Sequence, residues 1–501
     1  MHGLLATSLG VTCAAALTLP LAPPAGAAPE PPAPMAEAAA AVAGAARPDP
    51  PQAPGAPPRA ASATPDLPGS TQSLPLAPLA RDRALGGAGD QGLPRRDVRH
   101  FSLLGVVWND PDTPLHGRVQ VRTRAAGTHA WSGWQDLETH NDDHGADPGT
   151  AERTSGHVRA GTAPLWVGDS DGVEVRVHGE DTDPHGRTGT TRTGTTRTGT
   201  TRAALTTPGA AAALPKGLRL ELIDPGTEDT RAVHLSAEAA GTRQLRPAAL
   251  DTEARAASAA NADLAPVGAL EIPALDRAQT RSELLSLRSG QLTAAQKAKP
   301  YIGPRPRIVT RRGWGADEKL RGKSFVYTSK VKAAFVHHTA SGNTYKCSQA
   351  PSLIRGIYRY HVRSMGWRDI GYNFLVDKCG TIYEGRAGGV AKAVLGAHTL
   401  GFNTNSMGIA VIGTFGSTKP PAAAVTAVAR LTAWKLGLYG GNPKGKTYLK
   451  SGGGNLYRKG KNVRLNVISG HRDGFATECP GRQLYGKLGT ARSAAARLQG
   501  R

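Results

Sequence analysis

The sequence predicts an α/β fold class: a C-terminal domain with a central mixed β-sheet flanked by helices, preceded by a β-sandwich-like accessory domain and disordered Pro/Ala-rich linkers. Three observations support this. Aromatic residues occur neither before Phe101 nor between Trp166 and Tyr301, and segments without them bury too little apolar surface to offset the entropy of ordering. Apolar and polar residues alternate at period two in several runs of 99–226. From Tyr301 onward, strand-like runs alternate with helix-like runs.

The N-terminal part is predicted to contain a signal peptide and a linker. In residues 1–27 an apolar stretch is followed by Ala25-Gly26-Ala27, which has the small-residue pattern of a cleavage site. No other segment approaches the ~18 apolar residues of a membrane span, so we expect a secreted chain without a transmembrane segment. Residues 28–98 contain PEPPAP and PDPPQAPGAPP, which are typical of extended, disordered linkers.

Residues 99–226 are predicted to form the β-rich accessory domain. FSLLGVVWND, RVQVRTR, GVEVRVHG and GLRLELIDPG read as short strands that turn-forming residues separate. The repeat RTGTTRTGTTRTGTTR at 187–202 has no apolar side chain, and we interpret it as a low-complexity insertion in a surface loop. Four tryptophans fit either core packing, the simpler explanation, or a platform for stacking sugars. They are Trp108, Trp131, Trp134 and Trp166.

Residues 227–300 are predicted to be an Ala-rich linker, and residues 301–501 the domain that carries the chemistry. The linker prediction rests on the absence of aromatic residues. The elements expected after it are a strand at 331–340, a helix capped by Ser348, a hairpin turning at Asp377–Gly380, a strand at 406–413, a helix at 421–438, a strand at 465–471 and a last helix at 484–498.

The net charge of +22 indicates an anionic partner. The sequence has no helix-turn-helix, no RNP-like motif and no interleaving of aromatic with basic residues, so nucleic acid is not expected. Anionic polymers of a cell envelope match the positive net charge equally well. An Arg-rich composition of the whole proteome explains part of it without any partner.

The most informative motif is GHRDGFATECPG, in which His471 and Cys479 lie eight residues apart. A neutral imidazole and a thiolate are ligands that suit zinc. A third ligand from the distant run AAFVHHTA would leave one position open for water or substrate, as a catalytic zinc needs. Period two places His337 and His338 on opposite faces of that strand.

From about Arg307 to Leu498 the chain resembles the peptidoglycan recognition protein and type 2 amidase family, the zinc N-acetylmuramoyl-L-alanine amidases related to phage T7 lysozyme. The accessory region resembles one found beside such amidases in secreted actinobacterial proteins. The runs that carry the resemblance are RRGWGA (311–316), FVHHTA, YHVRSMGWRDIGYNFLVDKCGTIYEGR (360–386), GAHTLGFNTNSMGIAVIGTF (396–415) and GHRDGFATECPG (470–481).

The resemblance implies that His337, His471 and Cys479 bind Zn²⁺. Family members that only recognise peptidoglycan commonly lack this Cys, so its presence favours a hydrolase. His338 is then expected to be a hydrogen-bonded structural residue. If Cys479 binds metal, Cys347 and Cys379 are the two cysteines left to form a disulfide once the signal peptide is removed.

The resemblance also assigns catalytic and substrate-binding residues. Tyr372 matches the catalytic tyrosine of the family, and Thr477 occupies a position where a hydroxyl can bond a tetrahedral intermediate. Five further residues are expected to line a groove for a sugar–peptide ligand with free carboxylates. They are His361, Trp367, Arg386, His398 and Asn403.

These expectations combine into one predicted function. The chain would be a secreted, cell-wall-associated, zinc-dependent N-acetylmuramoyl-L-alanine amidase, which cuts between the lactyl group of muramic acid and L-alanine of the stem peptide in peptidoglycan. The alternatives are a receptor that binds peptidoglycan without hydrolysis, and a basic structural protein of the wall. The sequence leaves open the stem-peptide specificity and the oligomeric state.

Overall fold

The computed structural model describes residues 69–79, 90–139, 143–180, 213–226 and 250–501. All of them belong to a single compact unit of the chain, Thr64–Arg501. Three of the predictions fall wholly or mostly outside the described residues: the signal peptide at 1–27, the greater part of the linker at 28–98, and the repeat at 187–202.

The accessory domain is an eight-stranded antiparallel sheet in the order β1-β8-β3-β7-β4-β5, with β2 and β6 also paired to β3. Period-two alternation buries one face of β4 and β7, including Val121 and Val175, whereas residues 101–108 of β3 are buried on both faces. The strands are β1 (Thr71–Pro75), β2 (Ala77–Pro78), β3 (Gln91–Trp108), β4 (Gly117–Ala125), β5 (Gln135–Leu137), β6 (Ala160–Gly161), β7 (Leu165–Gly179) and β8 (Arg219–Ile223).

The linker predicted at 28–98 is wrong near its C-terminal end. β1 and β2 lie within it, and β3 begins at Gln91. Thr71 pairs with Ile223, a residue far along the chain. Local composition does not reveal such a partner, because the hydrogen bonds that fix a strand come from the sheet.

The C-terminal domain contains the predicted central mixed sheet, in the order β17-β11-β14-β12-β13-β10-β9. β11 runs parallel to both of its neighbours, β14 and β17, whereas β12 and β13 form the predicted hairpin. The strands are β9 (Glu271–Ile272), β10 (Ile308–Val309), β11 (Ala333–His338), β12 (Phe374–Val376), β13 (Ile382–Glu384), β14 (Ser406–Val411) and β17 (Ile468–Gly470); β15 (Lys446–Lys450) and β16 (Asn462–Asn466) form a separate hairpin.

Helices pack against this sheet. α5 and α7 contribute Trp434, Leu431 and Ala495 to its core. The helices are α1 (Thr252–Ala259), α2 (Arg277–Arg288), α3 (Ala294–Ala298), α4 (Ala350–Arg359), α5 (Ala422–Gly437), α6 (Arg482–Tyr485) and α7 (Leu488–Gln499), and a π-turn at Tyr360–Ser364 extends α4. Within the described ranges, no helix has the length and apolar character needed to cross a membrane.

The linker predicted at 227–300 is wrong from about residue 250 onward. α1, α2, α3 and β9 occupy this stretch, and β9 extends the central sheet beside β10. Capping boxes start α2 at Asp276 and α3 at Thr293, each with a glutamine three residues later. These capping signals are present in the sequence, and a prediction based on aromatic content alone does not include them.

A disulfide joins Cys347 to Cys379, as predicted. It links the 3₁₀ turn before α4 to the turn of the β12–β13 hairpin. Ser348, the predicted cap of α4, lies within this 3₁₀ turn. The helix therefore begins after Gln349 rather than after Ser348.

Candidate metal centre

Two neighbouring parallel strands bring His337 and His471 together. β11 carries His337 near its C-terminal end, and His471 directly follows β17. Val336 pairs with Gly470, so the two histidines leave the sheet at the same level. Because the carboxyl ends of parallel strands meet at one edge of a sheet, the two ring centroids lie 4.4 Å apart.

The loop after His471 returns Cys479 to the same point. Arg472 N donates to Cys479 O at 3.1 Å, and Cys479 N donates to Thr477 Oγ1 at 3.1 Å. Cys479 Sγ then lies 3.8 Å from Nδ1 of His337. The opposite ring nitrogen of His337, Nε2, lies 3.4 Å from the hydroxyl of Thr399, which orients the ring. The fold thus brings the three predicted metal ligands together.

A fourth histidine, His144 of the accessory domain, joins this cluster. One ligand atom from each of His144, His337, His471 and Cys479 lies within 4.8 Å of the others, and all four side chains are buried. The ring centroid of His144 is 4.6 Å from that of His471 and 5.2 Å from that of His337. The sequence analysis did not identify His144.

The electrostatics of the cluster fit a bound cation. Burial, with the other histidines, lowers the pKa of His337 well below its usual range, and burial lowers the pKa of His471 to about 3. The imidazoles are therefore neutral, as metal ligands must be. Nδ1 of His471 lies 3.6 Å from a carboxylate oxygen of Asp143, and Nε2 is buried without a hydrogen-bond partner among the described residues. Three imidazole nitrogens and one sulfur are the donor set of a zinc site.

The two predicted catalytic residues lie beside the cluster. The ring of Tyr372 is 5.5 Å from that of His337 between centroids. Burial, then the Cys479 and Asp143 charges, raise the pKa of Tyr372 well above its usual range, which keeps its hydroxyl protonated. Thr477 lies two residues before Cys479, and its hydroxyl oxygen accepts a hydrogen bond from Cys479 N.

Comparisons with known proteins agree with this site. A family model described as "N-acetylmuramoyl-L-alanine amidase" matches residues 327–482, which contain all three predicted ligands. Peptidoglycan-recognition protein 1 of Holotrichia diomphalia is 31% identical over 184 residues, which are 36% of this chain and 79% of that protein. The chain belongs to the peptidoglycan recognition protein and type 2 amidase family.

Two further relatives support the same assignment. Peptidoglycan-recognition protein SC2 of Drosophila simulans is 29% identical over 183 residues, 36% of this chain and 85% of that protein. The human N-acetylmuramoyl-L-alanine amidase is 31% identical over 202 residues, 40% of this chain but only 30% of that longer protein. A second family model, "Rv3811 N-terminal galactose-binding domain-like", matches residues 58–203 of the accessory region.

The five predicted groove residues of this peptidoglycan recognition domain are all buried. His361 packs on Trp367 with ring centroids 4.4 Å apart, and Gly371 N donates to Nδ1 of His361 at 3.2 Å. The ring of His398 lies 5.3 Å from that of His337. Their exposed fractions range from 0% for His398 to 8% for Arg386.

A segment of the accessory domain, residues 143–153, covers the groove of the peptidoglycan recognition domain. Arg386 donates to both carboxylate oxygens of Glu152, at 2.8 and 2.9 Å. Asn403 Nδ2 donates to Asp147 Oδ1 at 2.6 Å and to Gly145 O at 2.8 Å. No feature of the run DHGADPGTAER reveals this docking, because the groove it enters is formed by residues far along the chain.

His338 behaves as the period-two pattern predicts. Its ring points away from the cluster, towards Phe415, whose backbone N donates to Nδ1 at 3.3 Å. The four tryptophans of the accessory domain have two kinds of environment. Trp108 and Trp166 are core residues, whereas Trp131 and Trp134 are half-buried under the guanidinium groups of neighbouring arginines.

Proposed function

We propose that this chain is a secreted, zinc-dependent N-acetylmuramoyl-L-alanine amidase that acts in the cell wall. The observation that carries the proposal is the convergence of His337, His471 and Cys479 beside Tyr372, in a domain of the amidase family. The donor set suits zinc, and the relatives named above are peptidoglycan-recognition proteins and an amidase.

The reaction adds water across one amide bond. Oxygen goes to the lactyl carbonyl carbon of muramic acid, and a proton goes to the nitrogen of L-alanine. A zinc ion held by the three ligands would polarise the carbonyl and lower the pKa of a bound water towards ~7. Side chains of the protein would stabilise the oxyanion and bind the stem peptide.

Tyr372 is suited to donate a hydrogen bond to the developing oxyanion. Burial keeps its phenol protonated, and a buried donor that is already in place stabilises charge without reorganisation. The hydroxyl of Thr477, two residues before Cys479, is suited to donate a hydrogen bond to the same oxygen. Removal of one such donor typically costs about 100- to 1,000-fold in kcat.

Arg386 and Asn403 are suited to bind the stem peptide. A guanidinium recognises a carboxylate through two parallel hydrogen bonds, and Arg386 makes this contact with Glu152. In complex with substrate, a carboxylate of the stem peptide would take the place of Glu152.

Recognition without hydrolysis is the second candidate. The observation that favours it is the four-residue cluster, because a site with four protein ligands is typical of structural zinc rather than catalytic zinc.

Digestion of purified muropeptides distinguishes the two functions. The full chain and the variants His144→Ala and Cys479→Ala are incubated with muropeptides, with zinc or with a chelator, and the products are read by mass spectrometry. The amidase predicts stem peptides beginning with L-alanine, which disappear on chelation and with Cys479→Ala. If neither the wild type nor His144→Ala cleaves while both bind zinc and muropeptide, the protein is a receptor.

A further inference from the structure

We propose that His144 is a fourth metal ligand supplied by the accessory domain, and that residues 143–153 hold the amidase site closed, so that the chain folds as a latent enzyme. The inference rests on the proposed function, and it concerns how access to that site is controlled. Its evidence lies in the accessory domain, in residues that the amidase motifs do not include.

The orientation of the His144 ring is that of a metal ligand. Nδ1 of His144 lies 2.6 Å from Oδ1 of Asp143, and an ionised carboxylate only accepts hydrogen bonds, so Nδ1 carries the proton. In the neutral imidazole, Nε2 is then the nitrogen that carries the lone pair. It is buried, and it has no hydrogen-bond partner within the described part of the chain. A carboxylate on one ring nitrogen and a metal on the other is the usual arrangement of a metal-bound histidine.

The position of His144 is also that of a metal ligand. Its ring contacts those of His337, His471 and Tyr372, at centroid distances of 5.2, 4.6 and 5.7 Å. His144 thus lies beside both histidine ligands and beside the tyrosine proposed to hold the oxyanion. A catalytic zinc keeps its fourth position open for water or substrate, and an imidazole at this point would occupy that position.

Residues 143–153, the segment that carries His144, occupy the groove. Glu152 accepts two hydrogen bonds from the guanidinium of Arg386 and one from Arg368 N at 3.1 Å. Asp147 accepts from Asn403 Nδ2 at 2.6 Å and from Gly401 N at 2.8 Å. The segment therefore presents carboxylates to the donors that would bind the carboxylates of a stem peptide.

The space that is left is too small for the substrate. A cavity of about 260 Å³ remains between the segment and the groove, lined in part by Asp147, Glu152, Arg386 and Asn403. Pockets that enclose a drug-sized ligand have volumes of about 300–1,000 Å³, and a disaccharide bearing a peptide is larger than such a ligand. A muropeptide can therefore enter only after the segment leaves.

The accessory domain itself is firmly attached, so the opening is local. Tyr360 Oη donates to Thr162 O at 3.0 Å, Arg159 N donates to Met365 O at 3.0 Å, and Trp166 N donates to Ser341 O at 3.1 Å. Leu103, Val107 and Ile223 of the accessory sheet share one apolar core with α4. Residues 143–153 contribute no strand or helix of the described structure. One backbone hydrogen bond, from Leu400 N to Asp143 O at 2.9 Å, and the side-chain contacts named above hold the segment, and such a segment opens more readily than a sheet.

The test measures the metal site of the full chain directly, with cobalt(II) in place of zinc. The wild type, His144→Ala, Glu152→Gln and the control His129→Ala are compared; His129 is an exposed histidine of the accessory domain. Azide is added as a small ligand, and the visible spectrum of cobalt shows whether it binds. We expect azide to alter the spectrum of His144→Ala and to leave those of the wild type, Glu152→Gln and His129→Ala unchanged.

Zinc affinity and muropeptide cleavage complete the test. Competition with a chromophoric chelator should show at least about tenfold weaker zinc binding by His144→Ala than by the wild type, as expected for a lost ligand. Cleavage by His144→Ala should be at least about tenfold faster than by the wild type, and Glu152→Gln should lower the muropeptide KM. Thermal unfolding establishes that each variant is folded.

The outcomes separate this inference from the proposed function. Unchanged zinc affinity of folded His144→Ala, or an azide response already present in the wild type, overturns the ligand assignment and the closed site. An azide response that appears only in His144→Ala, without any cleavage, upholds the closed site and contradicts the amidase. Faster cleavage together with the new azide response supports both.

Discussion

His337 Nδ1 and Cys479 Sγ lie 3.8 Å apart in the protein interior, although the two residues come from β11 and from a loop near the C-terminus. Burial raises the pKa of the Cys479 thiol well above its usual range, so without a cation this pair holds a neutral thiol next to a neutral imidazole. A bound divalent cation would lower the pKa of this thiol, because it stabilises the thiolate directly.

Loss of either residue should therefore abolish metal binding. We expect Cys479→Ala and His337→Ala to weaken zinc binding by at least about 100-fold, more than the loss of an outer-shell partner, and to abolish amide cleavage. The matched control is His338→Ala, the adjacent histidine on the opposite face. It should keep the zinc content and lose about 1–3 kcal/mol of stability, because Phe415 N loses its acceptor. Full zinc content in Cys479→Ala would refute the ligand assignment.

The Cys347–Cys379 disulfide should stabilise the fold without taking part in the chemistry. The two cysteines are 32 residues apart, and the chain-entropy model gives about 3–4 kcal/mol for a loop of this size. We expect the double variant Cys347→Ser/Cys379→Ser to lose this much free energy of unfolding in urea while it retains zinc. The wild type in a strong reductant provides the control and should show the same loss; an unaltered unfolding midpoint in both would contradict this account.

Arg311 should be essential for stability. Its buried guanidinium donates to Glu318 at 2.7 Å and to Asp369 at 3.0 Å. Removing one partner of a buried ion pair leaves charges uncompensated and costs about 3–5 kcal/mol. We predict this loss for Arg311→Leu in chemical denaturation. Arg464→Leu, at an exposed position of β16, should change the stability by less than about 0.5 kcal/mol. Equal effects of the two substitutions would show that the Arg311 network contributes nothing.

Glu384 should make stability depend on pH. Burial raises its pKa to about 7, although hydrogen bonds from Asn261 and Arg311 act in the opposite direction. A carboxyl with a raised pKa in the folded state contributes stability below its unfolded pKa of ~4.3, and that contribution is lost as the pH rises through about 7.

Glu384→Gln tests this sign, because glutamine resembles the protonated acid. The stability of the variant relative to the wild type should rise by about 3 kcal/mol between about pH 5 and about pH 8. Denaturation at both pH values measures the difference. A difference that does not vary with pH would contradict the prediction.

The central sheet was predictable because its signals are local, whereas the choice of His337, His471 and Cys479 as ligands followed from the family resemblance. FVHHTA alternates as a strand, LNVISGH ends on its histidine, and the Cys lies in the same loop as that histidine. Strand periodicity also separated His337 from His338 correctly. Parallel pairing of β11 with β17 then brings the two runs together without further information.

The contribution of the accessory domain to the site was not predictable, because it depends on how residues 143–153 pack against a distant part of the chain. Asp143, His144 and Glu152 lie in a polar stretch with no periodicity, and their partners are His471, the metal cluster and Arg386. The helices after residue 250 were missed for a different reason. Their caps were readable at Asp276 and Thr293, but aromatic content was a poor guide, since Ala and Leu side chains cover this edge of the sheet.

The most direct test of the amidase follows the oxygen atom of the attacking water. Muropeptides are incubated with the zinc-loaded full chain, wild type and His144→Ala, in water enriched in heavy oxygen, and the two products are weighed by mass spectrometry. We predict that the muramic acid fragment gains one heavy oxygen in its new lactyl carboxylate, while the stem peptide leaves unlabelled with a free L-alanine amine. Label in the peptide or at the glycosidic carbon, or no cleavage by either protein, would contradict the account.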